Sequence, residues 1–135
     1  MVARHNKKET EMGLDMYAYT APRKRVKKPV DFKTEHLPKE ELHYWRKHPN
    51  LHGWMSDLYY AKGGSDPNFN CNPVELTLAD LDALEQAILN GNLPSTCGFF
   101  FGESDGTEKD DDLLFIKNAR QAIAEGLAVY YDSWW

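Results

Sequence analysis

The alternation of apolar and polar positions predicts a first strand over residues 13–20, GLDMYAYT. Leu14, Met16 and Ala18 fall on one face and Asp15, Tyr17 and Tyr19 on the other, the period of two of a half-buried strand. Pro22 closes it. The basic run RKRVKKPV that follows reads as a loop or as a solvated edge strand, where lysines discourage pairing. Helical signals begin at Leu37-Pro38, since proline suits a first turn and Glu40 and Glu41 suit its positive end. That helix is expected to run through Tyr44, Trp45 and Arg46 and to stop near Lys47, because Pro49 disfavours helical geometry at His48. A second helix is expected after Asn50 as N-cap, with Leu51, Trp54, Met55 and Leu58 on one stripe. Gly63 to Asn68 has loop chemistry. Asn72 to Leu76 suits a short strand. Thr77 and Asp80 approximate a capping box ahead of Leu78, Leu81, Leu84 and Ile88, and Asn90-Gly91-Asn92 ends that helix. Residues 97–101, inside CGFFFG, read as a buried strand. A last helix is expected from about Asp110, with Leu113, Ile116, Ile123 and Leu127 inward and Gly126 weakening its final turn. AVYYDSWW, residues 128–135, reads as a closing strand.

This order predicts an α+β fold, an α/β sandwich in which a small mixed sheet of about four strands carries helices mainly on one face. Residues 1–12 read as a flexible N-terminal extension and residues 13–135 as a single domain, a size sufficient for a core. A hydrophobic fraction of 41% excludes a disordered class. No apolar run is long enough for a transmembrane helix, and the N-terminus lacks the apolar stretch of a secretory signal. Cys71 and Cys97 have no CxxC spacing and are expected to be reduced and packed.

The net charge of -5 conceals an asymmetry. Residues 1–62 hold 13 Lys/Arg against 8 Asp/Glu, and residues 63–135 hold 3 against 13. Such polarity steers charged partners, although charge runs are more often plain solvated surface. Phosphate-binding loops, dinucleotide fingerprints, HExxH and GxSxG are all missing, and the basic run lies outside any nucleic-acid motif, so direct nucleic-acid binding is not expected. His43, His48 and His52 are broken by Pro49, so zinc held with Cys71 or Cys97 is a weak reading; no metal or cofactor is expected, and His43 and His48 are expected at the surface. Asp15, His52 and Asp132 are acid–base types, and Ser56, Ser133 and Cys97 are nucleophile types, but no pair is legible.

Two constellations remain. The corner YWRKHPNLHGWM, residues 44–55, places Arg46 and Lys47 before a helix start at Asn50, near His52 and Trp54. With Tyr17, Tyr19 and Asp15 these residues could line a pocket for a nucleotide or phosphorylated metabolite, because helix starts and arginine bind phosphate and tryptophan stacks bases. Equally, the tryptophans could be core and the cations a favoured helix end. The acidic loop ESDGTEKDDD supplies Glu103, Asp105, Glu108, Asp110, Asp111 and Asp112, which could meet a basic partner or simply be solvated. Trp134 and Trp135 look exposed enough to mark an interface.

MGLDMYAY (residues 12–19), YWRKHPNLHGWM, CGFFFG and YYDSWW (residues 130–135) together resemble a family of small proteins encoded by phages, prophages and plasmids. Its members open with a similar MGLDMY segment and carry a YWRK block, a GFFFG block and a terminal aromatic strand ending in Ser-Trp. The resemblance covers most of the chain from Met12, and departs from the family pattern in RKRVKK and the long acidic loop. It implies a mobile-element accessory protein in the cytoplasm of a bacterial host, and no particular reaction. The leading expectation is therefore a non-enzymatic protein that binds and inhibits a host factor, a defence system such as CRISPR being one candidate, through its acidic surface. The alternative is a protein that sequesters or hydrolyses a nucleotide at the Arg46/Lys47/His52 corner.

Overall fold

The computed structural model describes residues 13–98 and 101–135. The extension expected over residues 1–12 and the Phe99–Phe100 part of the expected strand lie outside them. Four strands, β1 (Asp15–Pro22), β2 (Glu40–Arg46), β3 (Val74–Leu76) and β4 (Leu127–Trp134), and three helices, α1 (Pro49–Ala61), α2 (Leu78–Leu89) and α3 (Lys109–Ala124), follow in the order β1-β2-α1-β3-α2-α3-β4. The strands lie in the order β2-β1-β4-β3, and every neighbouring pair is antiparallel. The fold is α+β: one antiparallel sheet with three helices packed against it.

The main core lies between that sheet and the helices. Leu14, Met16, Ala18, Val129 and Tyr131 from the sheet meet Leu51, Met55 and Tyr59 of α1, Leu81 and Leu84 of α2, and Phe115 and Ile116 of α3. The opposite face is covered as well. Residues 23–39 cross it as a strap and seat Val26, Phe32 and Leu37 on Tyr17, Tyr19, Ala128 and Tyr130. Tyr17 and Tyr19 stack at 5.7 Å, and Phe32 meets Tyr130 edge-on at 5.2 Å. β1 is thus buried on both faces rather than one. Its covering residues come at uneven spacing, so no periodicity announces them. The basic run is held at both ends: Arg23 to Arg25 form a 3-10 turn, Val30 makes an isolated antiparallel bridge to Val74 of β3, and Arg23, Lys24, Arg25, Lys27, Lys28, Lys33 and Lys39 stay exposed on the strap.

The helix expected before Lys47 is instead strand β2, which pairs with β1 from Asp15–Arg46 to Thr20–Glu40. The pairing satisfies the β1 edge and outweighs local helical preference. It sends Trp45 to the helical core and leaves Tyr44 on the tyrosine face, 5.2 Å from Tyr17. The register shifts once, between Ala18 and Tyr19, which leaves Leu42 as the extra residue of a bulge. Thr77 and Asp80 do form a capping box. Gly126 lies beyond the end of α3 at φ +91, where it allows the left-handed turn into β4. Neither cysteine is packed: Cys71, at a bend, and Cys97, in irregular chain, are both exposed.

Candidate functional site

The corner after β2 is made by Lys47, at φ 54, whose N–H donates to the Leu14 carbonyl at 2.8 Å. This turn points His48 inward. His48, expected at the surface, is 3% exposed and occupies the N-cap position of α1 without a side-chain cap hydrogen bond, with Pro49 in the first turn. Asp112, in the first turn of α3, is 1% exposed and explains the reversal. Its Oδ2 lies 2.8 Å from His48 Nε2, and its Oδ1 accepts from Trp45 Nε1 at 3.0 Å. A buried carboxylate requires such donors. On the other side of the ring, His48 Nδ1 lies 2.6 Å from Ser104 Oγ and 3.7 Å from Glu108 Oε2. Ser104 Oγ also accepts from the Asn50 N–H at 3.1 Å.

These residues line a cleft of about 310 Å³ between the first turns of α1 and α3 and the end of α2. Its polar wall is His48, Asn50, Ser104 and Glu108, and its apolar wall is Ile88, Leu89 and Leu93. Lys109 is the one lysine or arginine lining it among the described residues. The cleft is where the aromatic corner and the acidic loop meet. Much of that loop is internally committed: Glu108 accepts from the N–H groups of Asp105 and Gly106, and Asp105 accepts from Thr107, which lowers the Asp105 pKa. Asp111 faces His43 Nε2 at 2.9 Å. Glu103, Asp105, Asp110 and Asp111 remain exposed.

Of the residues singled out in the sequence, Asn50, Glu108 and Asp112 come together at this cleft. Asn50 does not cap α1; its Oδ1 accepts from Thr96 N at 3.0 Å and ties the incoming 93–98 segment down. Gly53 lets that segment cross α1, because a Cβ there would meet Thr96 Oγ1 at 2.0 Å. Arg46 and His52 lie in separate environments. Arg46 Nη1 and Tyr44 O–H both donate to Asp15 Oδ1, each at 2.8 Å. Burial, then Asp15, pushes the Tyr44 pKa up to about 12. His52 is buried against Phe69, Phe101 and Tyr131, with Nδ1 2.7 Å from the Tyr131 hydroxyl, and burial lowers its pKa to about 4. It borders a second hollow of about 290 Å³ that it shares with Ser56, Thr96 and Trp135. Tyr17 and Tyr19 lie under the strap, with Lys39 Nζ 5.7 Å from the Tyr19 ring centre. Trp54 packs half-buried against the main core. Trp134 and Trp135 are half-buried rather than exposed; Trp135 meets Phe101 edge-on at 5.0 Å and donates to the Phe69 carbonyl. Asp132 is buried and accepts from Ser133 N.

Ser104 had no signal in the sequence, and His48 stood out there only as a weak metal candidate expected at the surface. Ser104 sits in ESDG, not in a nucleophile elbow, and its partners are 54 and 56 residues away. Among the described residues no cluster of three or more His, Cys, Asp or Glu side chains suits a metal ion. No helix of the described chain is long and apolar enough to cross a membrane. No protein-family model, curated protein or solved structure matches the chain.

Proposed function

We propose that this protein binds a small neutral or cationic ligand in the cleft between the starts of α1 and α3. The observation that carries the reading is the cleft itself: a concave site of about 310 Å³ with an apolar wall facing convergent polar groups. Two helix starts alone would favour an anion. Here Glu108 and Asp112 line the site beside the exposed Asp105, Asp110 and Asp111, which disfavours a phosphate. The ligand expectation therefore moves from Arg46, Lys47 and His52 to His48, Asn50 and Ser104, and from phosphorylated molecules to uncharged or basic ones. In a fragment screen by NMR, neutral and cationic fragments should shift the amides of residues 48–50, 88–93 and 104–112. Leu89→Trp, at a half-exposed wall position, should weaken them at least tenfold, about 1.4 kcal/mol. Shifts confined to other surfaces would sink the reading.

A second reading rests on the separation of charge by the sheet. Seven exposed cations lie on the strap over one face, while the acidic loop and the start of α3 lie on the helical side. This supports an accessory protein of a mobile element that binds a basic surface on a host factor, such as a nucleic-acid-binding defence complex. Glu103 and Asp110 are the carboxylates to test, because Glu108 and Asp112 hold the loop together. Reversing both to lysine should abolish salt-sensitive capture of a host protein by the tagged chain, and capture at wild-type level would count decisively against this reading.

A further inference from the structure

The chain of hydrogen bonds at the cleft has a direction. Asp112 accepts from the Trp45 indole N–H, and its second oxygen faces His48 Nε2. An ionised carboxylate only accepts, so Nε2 carries a proton, and in the neutral imidazole, the form that can act as a base, Nδ1 is left as an acceptor. The group facing Nδ1 at 2.6 Å is the Ser104 hydroxyl, which must then donate to it. On the far side of Oγ the Asn50 N–H donates at 3.1 Å, which steadies negative charge on that oxygen. The hydroxyl lines the cleft. A serine donating to a histidine that a buried aspartate orients is the arrangement that makes a weak nucleophile reactive. A capping contact alone would need only the Asn50–Ser104 bond. We propose that Ser104 is a nucleophile, with His48 as its general base and Asp112 as the positioning residue, and that the cleft hydrolyses short neutral or cationic carboxylic esters; this rests on the cleft being the ligand site.

Ser104 Oγ attacks the ester carbonyl carbon while its proton passes to His48 Nδ1. The bond to the alcohol oxygen breaks, and His48 returns the proton to that oxygen. Water then attacks the acyl-serine, giving one proton to Nδ1, and Ser104 leaves with that proton, so ester and water become acid and alcohol. Asp112 and Glu108 flank the imidazolium that forms in each half. Compared with the usual serine hydrolase the two ring nitrogens exchange places, which alters the approach of the serine and leaves the proton inventory unchanged. The volume limits the acyl chain, Ile88, Leu89 and Leu93 receive it, and the surrounding carboxylates exclude anionic substrates.

The test uses the full wild-type chain with an uncharged alkyl fluorophosphonate, in which Oγ bonds phosphorus and fluoride leaves. Peptide mass spectrometry should place the adduct on Ser104, and p-nitrophenyl butyrate should turn over about a hundredfold faster than with Ser104→Ala. A wild-type chain that binds cleft fragments by NMR but carries no adduct on Ser104 overturns the nucleophile and leaves the ligand site standing. A folded chain that neither binds fragments nor takes the label overturns both. Because labelling is read on the wild type, loss of fold in the variant does not obscure it.

Discussion

Asp112→Ala should lower the free energy of unfolding by about 3 kcal/mol, read from urea denaturation. The carboxylate is 1% exposed and holds two N–H groups from different elements, Trp45 of β2 and the His48 corner, onto the start of α3. Removing it leaves both donors buried beside an empty space, and the buried donors account for most of the cost. Asp112→Asn keeps the volume but offers one accepting oxygen where two are used, so it should fall between the wild type and alanine. A loss below about 1 kcal/mol for alanine would show that solvent reaches these donors and that the carboxylate does not organise the corner.

His52 should make the fold acid-sensitive. Its pKa falls from 6.5 to about 4 because burial opposes the charged ring. The unfolded chain therefore takes up a proton in a range where the folded chain does not. Stability from this group is complete above pH 6.5, declines as pH falls toward 4, and is flat below. The decline amounts to about 3 kcal/mol. Urea titrations across that range should show it, and His52→Gln, which still offers the Tyr131 hydroxyl an acceptor, should start less stable and lose this part of the slope. An imidazole that titrates near 6.5 by NMR in the folded protein would refute the assignment.

Elements whose periodicity and caps agree were legible. β1, α2 with its Thr77–Asp80 box, α3 and β4 lie close to where the alternation put them. β2 was not, because Pro38, Glu40 and Glu41 are good local helix signals and only the distant β1 edge overrides them. The strap was not, because Val26, Phe32 and Leu37 bury by position rather than by period. The site was half legible. The corner and the acidic loop both stood out, but as separate hypotheses, and nothing in the chain says that Asp112 meets His48. Arg46 and His52 looked like partners because they are near in sequence. A strand and a helix then carried them into different surroundings, one onto Asp15 and the other between Phe69 and Phe101.

The sheet order has a kinetic consequence. β4 lies between β1 and β3, and its longest ladder runs from Asp15–Trp134 to Pro22–Leu127, joining the two most distant elements of the fold. No hairpin can seed that ladder, so most of the loop-closure entropy must be lost before the central contacts form. Folding should be slow for a chain of this length. Until β1 and β4 find each other, each presents an unpaired edge with apolar side chains on both faces, and that interval is when the chain is most open to association with its own copies.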